Sequence, residues 1–165
     1  MANLGKPPRE SNVIMTELVL PSDTNALGTI FGGKVMAWID IAAAIAAARH
    51  ARKSVVTASI DALHFLQPIK MGQVAHIRAS VNFAGRTSME VGVRVDSEDQ
   101  LTGERFHTVT AYTTFVALDA KGKPTPVPPI LPESPEEKRR FEEAKMRRQA
   151  RIRLAEDLKN NPPAM

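Results

Sequence analysis

The sequence contains no cysteine in 165 residues. A disulfide framework, a thiolate zinc site and a thiol nucleophile are therefore all excluded. Aromatic residues make up only 5%, and they do not interleave with basic residues, so the charge-plus-stacking pattern of a nucleic-acid binder is absent. No apolar run reaches the ~20 residues that a bilayer-spanning helix needs, so no membrane span is expected. The first eleven residues, MANLGKPPRES, hold no apolar signal core, and a cytoplasmic location is the expectation. Internal repeats are also missing. What remains is ordinary globular material, 43% apolar and 24% charged, of a length that makes one domain with a substantial core. The formal charge of +4 points to anionic partners, but much of the basic excess lies in the C-terminal tail.

The chain is organised around Pro21 to His50. This stretch begins as a loop with turn chemistry (Pro21, Ser22, Asp23, Asn25, Gly28), passes through Gly32-Gly33, and enters an Ala-rich run from Val35 to Ala48. That run reads as a helix from about Lys34 to His50. It is apolar on every face, so burial is expected. Asp40 is the only charge inside it. A carboxylate in such a place is costly without a purpose or a partner.

Strands are expected on either side. Ser11–Leu20 and Ser54–Leu66 read as strands closed by Pro21 and Pro68. Gln73–Phe83 alternates cleanly, with Ala75, Ile77, Ala79, Val81 and Phe83 on one face. Ser88–Ser97 alternates again, and Glu104–Leu118 is rich in Thr, Val, Phe and Tyr. Short turns join the last three into an antiparallel meander. The fold class is α+β: a curled antiparallel sheet of about five strands around one long buried helix. Residues 1–11 read as a mobile lead-in, 12–119 as the folded domain, 120–135 as a Pro-rich linker crossing the surface, and 136–165 as a charged C-terminal helix and tail. Ser134, Pro135 and Glu137 form a capping box at its start. Its apolar stripe, Phe141, Ala144, Ile152, Ala155 and Leu158, is weak, and Asn160–Pro163 ends it. An open face and a free sheet edge make association of copies the expectation.

Two motifs carry a resemblance. Asn25-Ala26-Leu27-Gly28-Thr29-Ile30-Phe31-Gly32-Gly33, followed by Met36 and Asp40, resembles the N-x-x-G-x-x-F-G-G…D signature of hotdog-fold acyl-CoA thioesterases of the cytosolic acyl-CoA hydrolase type. Gly85-Arg86-Thr87-Ser88-Met89-Glu90-Val91 resembles a second element of the same family. The match spans roughly residues 12–118, and the charged tail resembles the family's extension. The resemblance implies a fatty acyl-CoA substrate hydrolysed to free acid and CoA, with no metal or redox cofactor. It also implies a homodimer as the minimal unit and a homohexamer built as a trimer of dimers.

The site residues follow from the resemblance read beside the chemistry. An apolar setting makes a carboxylate a stronger base, so Asp40 is the candidate general base, or a nucleophile forming an anhydride. A satisfied buried polar residue is the alternative reading of Asp40. Gly32 and Gly33 are either a plain turn or the place where helix N-terminal N–H groups meet a developing oxyanion. Asn25 is either a turn residue or, as the resemblance implies, a partner of the helix aspartate across a dimer interface. Arg86, Thr87 and Ser88 are candidate contacts for the CoA phosphates. Arg147, Arg148 and Arg151 repel one another unless an anion or acidic partner sits between them. They fit a phosphate clamp or a solvated or packing helix alike. His50, His64, His76 and His107 show no metal-ligand spacing. Three other functions stay open: a non-catalytic acyl-CoA sensor, a hydratase using a His–carboxylate pair, and nucleic-acid binding by the tail.

Overall fold

The structure, a computed structural model, describes residues 4–160. Val13–Leu18 forms β1, Gly32–Ala51 α1, Ser54–Ile60 β2, Val74–Ala84 β3, Ser88–Glu98 β4, Arg105–Leu118 β5 and Pro135–Asn160 α2. The strands make one antiparallel sheet in the order β1-β3-β4-β5-β2. β3, β4 and β5 are the expected meander, and β1 and β2 are the edges. The sheet curls over α1 on its inner face, and α2 lies on its outer face.

α1 can be wrapped because it is narrow. Ala42, Ala43, Ala46 and Ala47 are fully buried beside Val35, Trp38 and Ile39. They meet the inward residues of the strands, among them Ile77, Met89, Val91, Val93, Val95, Val109 and Phe115. The expected burial of α1 on all sides does not hold, because one sheet covers one side. Met36, Ile41 and Ile45 are exposed, and Asp40 lies on the same face. The helix also starts earlier than expected, with Gly32 and Gly33 as its first two residues.

Bulges alter two sequence expectations. Between β3 and β4 the register shifts between Val81 and Phe83. Phe83 therefore turns to the outer face instead of continuing the inward set, and its ring packs 5.4 Å from that of Phe141 on α2. β2 ends at Ile60 rather than Leu66. Beyond it only the Asp61 and Leu66 N–H groups reach β5, at the Tyr112 and Thr108 carbonyls. Between those two bonds this segment carries one residue more than β5 does, so the ladder falls out of step.

The lead-in, read as mobile, is packed where it is described. Residues 4–11 are held down: the Lys6 backbone pairs with Pro129 and Leu131, its ammonium donates to the His50 carbonyl at 2.9 Å, and Pro8–Ser11 form a 3-10 turn with Ser11 buried. The Pro-rich stretch that crosses the surface is a packed strap. Val127 and Ile130 are buried, the Val127 N–H donates to the Arg86 carbonyl at 3.0 Å, and His50 Nε2 donates to the Pro128 carbonyl at 2.7 Å. Prolines suit this path because they need few ladder partners. Burial pushes the His50 imidazole below its ordinary pKa, outweighing the Pro128 bond. The ring is thus the neutral anchor of the strap, not a cation at the helix end.

At the start of α2 the capping box is formed. Glu137 Oε2 accepts the Ser134 N–H at 3.0 Å, and Ser134 Oγ accepts the Glu137 N–H at 3.2 Å. The seam against the sheet differs from the expected stripe. Phe141 and Ala144 do face inward, but Arg147 and Arg151 continue the seam, while Ile152, Ala155 and Leu158 are exposed. Of the expected stop at Asn160–Pro163, Asn160 is still helical and the rest lies outside the described residues, as do Met1–Asn3.

On the outer face Asp96 collects Arg78 Nη2 at 2.7 Å, Arg94 Nε at 2.9 Å and His107 Nδ1 at 3.1 Å. Burial by itself raises its pKa, but these donors outweigh burial and hold the carboxyl at about 2. Its folded pKa lies below the ordinary 3.8. Its contribution is therefore full above that value and is lost as pH falls from there towards 2. Asp96 is expected to account for about 2 kcal/mol of the stability the wild-type chain loses across that window, and Asp96→Asn is expected to remove that part of the loss. Urea unfolding at pH 5 and pH 2.5 for both chains checks this; equal pH slopes would remove Asp96 from the account.

Candidate functional site

Asp40 sits in the middle of α1 and is half-buried, because its face of the helix is the one the sheet leaves open. Its Oδ1 accepts a hydrogen bond from Thr57 Oγ1 at 2.7 Å. Thr57 stands on the edge strand β2, opposite the buried Phe115 of β5, and so points to the inner face. Immediately after it the β2–β5 register shifts: Ser59 pairs with Thr114 and Ile60 with Thr113. A bulge beside a functional side chain is a common way of aiming it. Thr57 escaped the sequence reading, since a threonine among strand-forming residues carries no flag of its own.

The loop before α1 is fixed by its own polar groups. Asp23 accepts the Leu20 N–H at 3.1 Å and pairs with Lys34 at 3.1 Å, and these bonds, the backbone one first, lower its pKa. The Phe31 N–H donates to the Asp23 carbonyl. This ties the entry of α1 in place. Among the described residues, no acceptor takes the N–H of Gly32 or Gly33. Neither glycine has a positive φ. A Cβ at Gly33 would meet nothing within 4 Å, and one at Gly32 would only touch the Phe65 ring at 3.5 Å. Glycine here is thus required neither by backbone conformation nor by packing within the chain. It leaves open space above two free donors at the positive end of a helix.

Asn25 is engaged locally. Its Oδ1 accepts the Leu27 N–H at 2.9 Å and its Nδ2 donates to Thr29 Oγ1 at 3.0 Å. Among the described residues, no hydrogen bond joins Asn25 to Asp40. The turn 85–88 is held by its backbone: the Gly85 N–H donates to Ser88 O, while Ala117 and Val127 donate to the Thr87 and Arg86 carbonyls. The side chains of Arg86, Thr87 and Ser88 take no side-chain hydrogen bond or ion pair among the described residues. This turn lies at the C-terminal end of α1, since Lys53, just beyond α1, reaches Thr125 and Pro126 beside Val127. The glycine donors lie at the other end of a helix about 30 Å long. One chain therefore does not bring these two groups together.

Of the three candidate arginines on α2, Arg147 and Arg151 have an acidic partner within the chain. The acidic partner between them is Glu90, whose side chain is 1% exposed. Arg147 Nη2 donates to Glu90 Oε1 at 2.7 Å and Arg151 Nη2 to Glu90 Oε2 at 2.8 Å. Arg151 Nη1 also reaches Asp61 Oδ2 at 2.8 Å, and the Arg147 guanidinium lies 3.6 Å over the Tyr112 ring. Arg148 is exposed, 6.0 Å from the Phe83 ring. Glu90 was visible in the second motif but carried no role, because nothing in sequence spacing ties it to a residue 57 positions away.

The chain thus holds a carboxylate oriented by a hydroxyl, two free N–H groups at a helix start, an uncommitted arginine with two hydroxyls, and an exposed apolar face around the carboxylate. They suit attack of water on an electrophilic carbonyl attached to an anionic carrier. Comparison with known proteins agrees with this chemistry. The family model of the thioesterase superfamily matches residues 27–104. The chain is 49% identical over 129 residues to YkhA of Bacillus subtilis, an uncharacterized acyl-CoA thioester hydrolase, covering 78% of this chain and 75% of that one. A solved apo-hexameric acyl-CoA thioesterase superimposes with a TM-score of 0.89 at 49% identity, covering 92% of this chain and 97% of that one. An acyl-CoA hydrolase from Staphylococcus aureus, solved with butyryl coenzyme A, coenzyme A and coenzyme A disulfide, gives 0.88 at 41% identity and covers 94% of each. That hydrolase is also solved with an aspartate, a threonine and an asparagine each replaced by alanine.

Proposed function

The chain belongs to the hotdog-fold acyl-CoA thioesterases of the thioesterase superfamily, and we propose that it hydrolyses fatty acyl-CoA at a site centred on Asp40. The Asp40–Thr57 bond carries the reading. It fixes one carboxylate oxygen and leaves the other without a hydrogen bond among the described residues. There Asp40 takes a proton from water as the water oxygen attacks the thioester carbon. The carbonyl oxygen gains charge beside the N–H groups of Gly32 or Gly33. As the C–S bond breaks, the proton returns to the sulfur, leaving a free acid and coenzyme A. Direct attack by Asp40, forming a mixed anhydride that water then opens, uses the same residues.

In the Staphylococcus hydrolase the altered asparagine and aspartate stand 15 positions apart, and the aspartate and threonine 17. Asn25, Asp40 and Thr57 repeat these intervals. Asn25 acts from a second copy, orienting the water or the carbonyl. Two observations support this: it has no bond to Asp40 in its own chain, and α1 presents Met36, Ile41 and Ile45 on an exposed apolar face that a partner would cover. Two α1 helices packed antiparallel would bring one chain's 85–88 turn near the other's glycine donors. Arg86, Thr87 and Ser88 then hold the phosphates of coenzyme A. Arg147 and Arg151 drop out of that role. The dimer is the minimal unit, and three dimers would form a hexamer, the state named for one of the matched structures.

Asp40→Asn is expected to lower kcat by about a hundredfold to ten-thousandfold while coenzyme A still binds. Free-thiol release from a panel of acyl-CoA chain lengths, together with calorimetric binding of coenzyme A, reads both. Near-normal turnover would remove Asp40 from the chemistry, and saturable binding without turnover in the wild type would favour an acyl-CoA sensor. Arg86→Ala is expected to raise KM by about tenfold or more with a much smaller change in kcat. A fall in kcat alone would sink the phosphate contact. When Asn25→Ala and Asp40→Asn chains are mixed and re-associated, about a quarter of wild-type turnover is expected. About half of random dimers then pair the two variants, and each of these has one unaltered site. No recovery on mixing would place both residues' action within one chain.

A further inference from the structure

On the outer face of the sheet, Arg151 joins two strands that are not neighbours. Its guanidinium bonds to Glu90 on β4 and to Asp61 just past β2, each at 2.8 Å. β5 runs between them, and the Asp61 N–H donates to the β5 carbonyl of Tyr112 at 3.0 Å. Glu90 is anchored independently by Arg147, which also covers Tyr112. Arg151 thus ties the end of the edge strand to a fixed point on α2 and β4.

The tie matters because of side-chain parity along β2. Thr57 pairs with the buried Phe115 and faces inward to Asp40. Four residues on, an unbulged strand would point Asp61 inward as well. The bulge adds one residue, Ala58, so that Ser59 opposes Thr114, Ile60 opposes Thr113, and Asp61 comes out opposite Tyr112 on the outer face. Asp61 can meet Arg151 only in the bulged register. Burial within the chain holds that register only weakly: from Ser54 to Ile60 the inward Val55 and Ile60 alone are half-buried, and none is fully buried. A strand with so little buried face is prone to slip, and a slip of one residue reverses every side chain.

We infer that Arg151 is a positioning residue for hydrolysis: through Asp61 it holds the bulged register of β2 that aims Thr57 at Asp40. This rests on the reading of Asp40 and Thr57 as part of the active site. Removing Arg151 leaves Glu90 paired with Arg147, so the buried carboxylate keeps a partner and the outer face keeps its helix.

The test is a double-mutant cycle on steady-state hydrolysis with Thr57→Ala, Arg151→Gln and the combined variant. Arg151→Gln is expected to lower kcat by about tenfold to a hundredfold, the effect of a small misplacement, with KM within about twofold of wild type. The combined variant is expected to be no slower than Thr57→Ala alone, because both changes remove one interaction. Should Arg151→Gln fail to fold, Asp61→Ala cuts the same tie and leaves Arg151 on Glu90. If Thr57→Ala lowers kcat but Arg151→Gln and Asp61→Ala do not, or if the losses multiply, the inference is overturned and the active-site reading stands. If Thr57→Ala keeps wild-type kcat, the active-site reading fails and the inference falls with it.

Discussion

One helix has to serve a five-stranded sheet, and it can do so only by being thin. Four buried alanines let the strands of the inner face approach the α1 backbone closely. Larger side chains there would force the sheet outward, and overpacking of this kind costs about 1–3 kcal/mol per site. The same economy leaves α1 half covered. Its remaining face carries apolar residues, free N–H groups at one end and a carboxylate in the middle. The open apolar face and the place of the proposed chemistry therefore share one origin, a single packing constraint.

The sheet divides labour between its faces, and bulges make the division possible. On the inner face the alternation is apolar and holds α1. On the outer face Glu90, Asn82, Tyr112 and Phe83 receive α2, a helix too polar to dock by hydrophobic contact alone. A buried carboxylate shared by two guanidinium groups is weak evidence of net stabilisation, because desolvation offsets much of the attraction. It is strong on geometry: bonds from two arginines to one fixed acid set where α2 lies along the sheet and how far it reaches toward β2.

Much of this was legible in the chain. The meander, the Ala-rich helix and the capping box at Ser134–Glu137 each follow from local rules of spacing and side-chain chemistry. The bulges at Thr57–Ser59 and Val81–Phe83 were not legible, because an alternating sequence looks the same on either side of an inserted residue. Phe83 reads as inward until the register shift at Val81 turns it around. The openness of α1 was hidden because an all-apolar helix does not say what covers it. In the proposed site, the motif residues Asn25, Gly32, Gly33, Asp40 and Arg86 could be named from their pattern. Thr57 could not, since its role exists only through a bond made across the fold. The arginines of α2 declared that an anion was needed but not which one.

The two sheet edges are unlike, and this bears on how many copies can join. β2 is uncovered and beside the open face of α1. β1 has only six residues and is bracketed by proline, with the Pro8–Ser11 turn before it and Pro21 after it. Proline offers no N–H to an incoming strand, and short edges give little to pair with. A sheet that grows across β2 therefore stops at β1 on each side. Any brake on ribbon-like growth through the sheet edges thus lies in β1, the strand farthest along the sheet from Thr57.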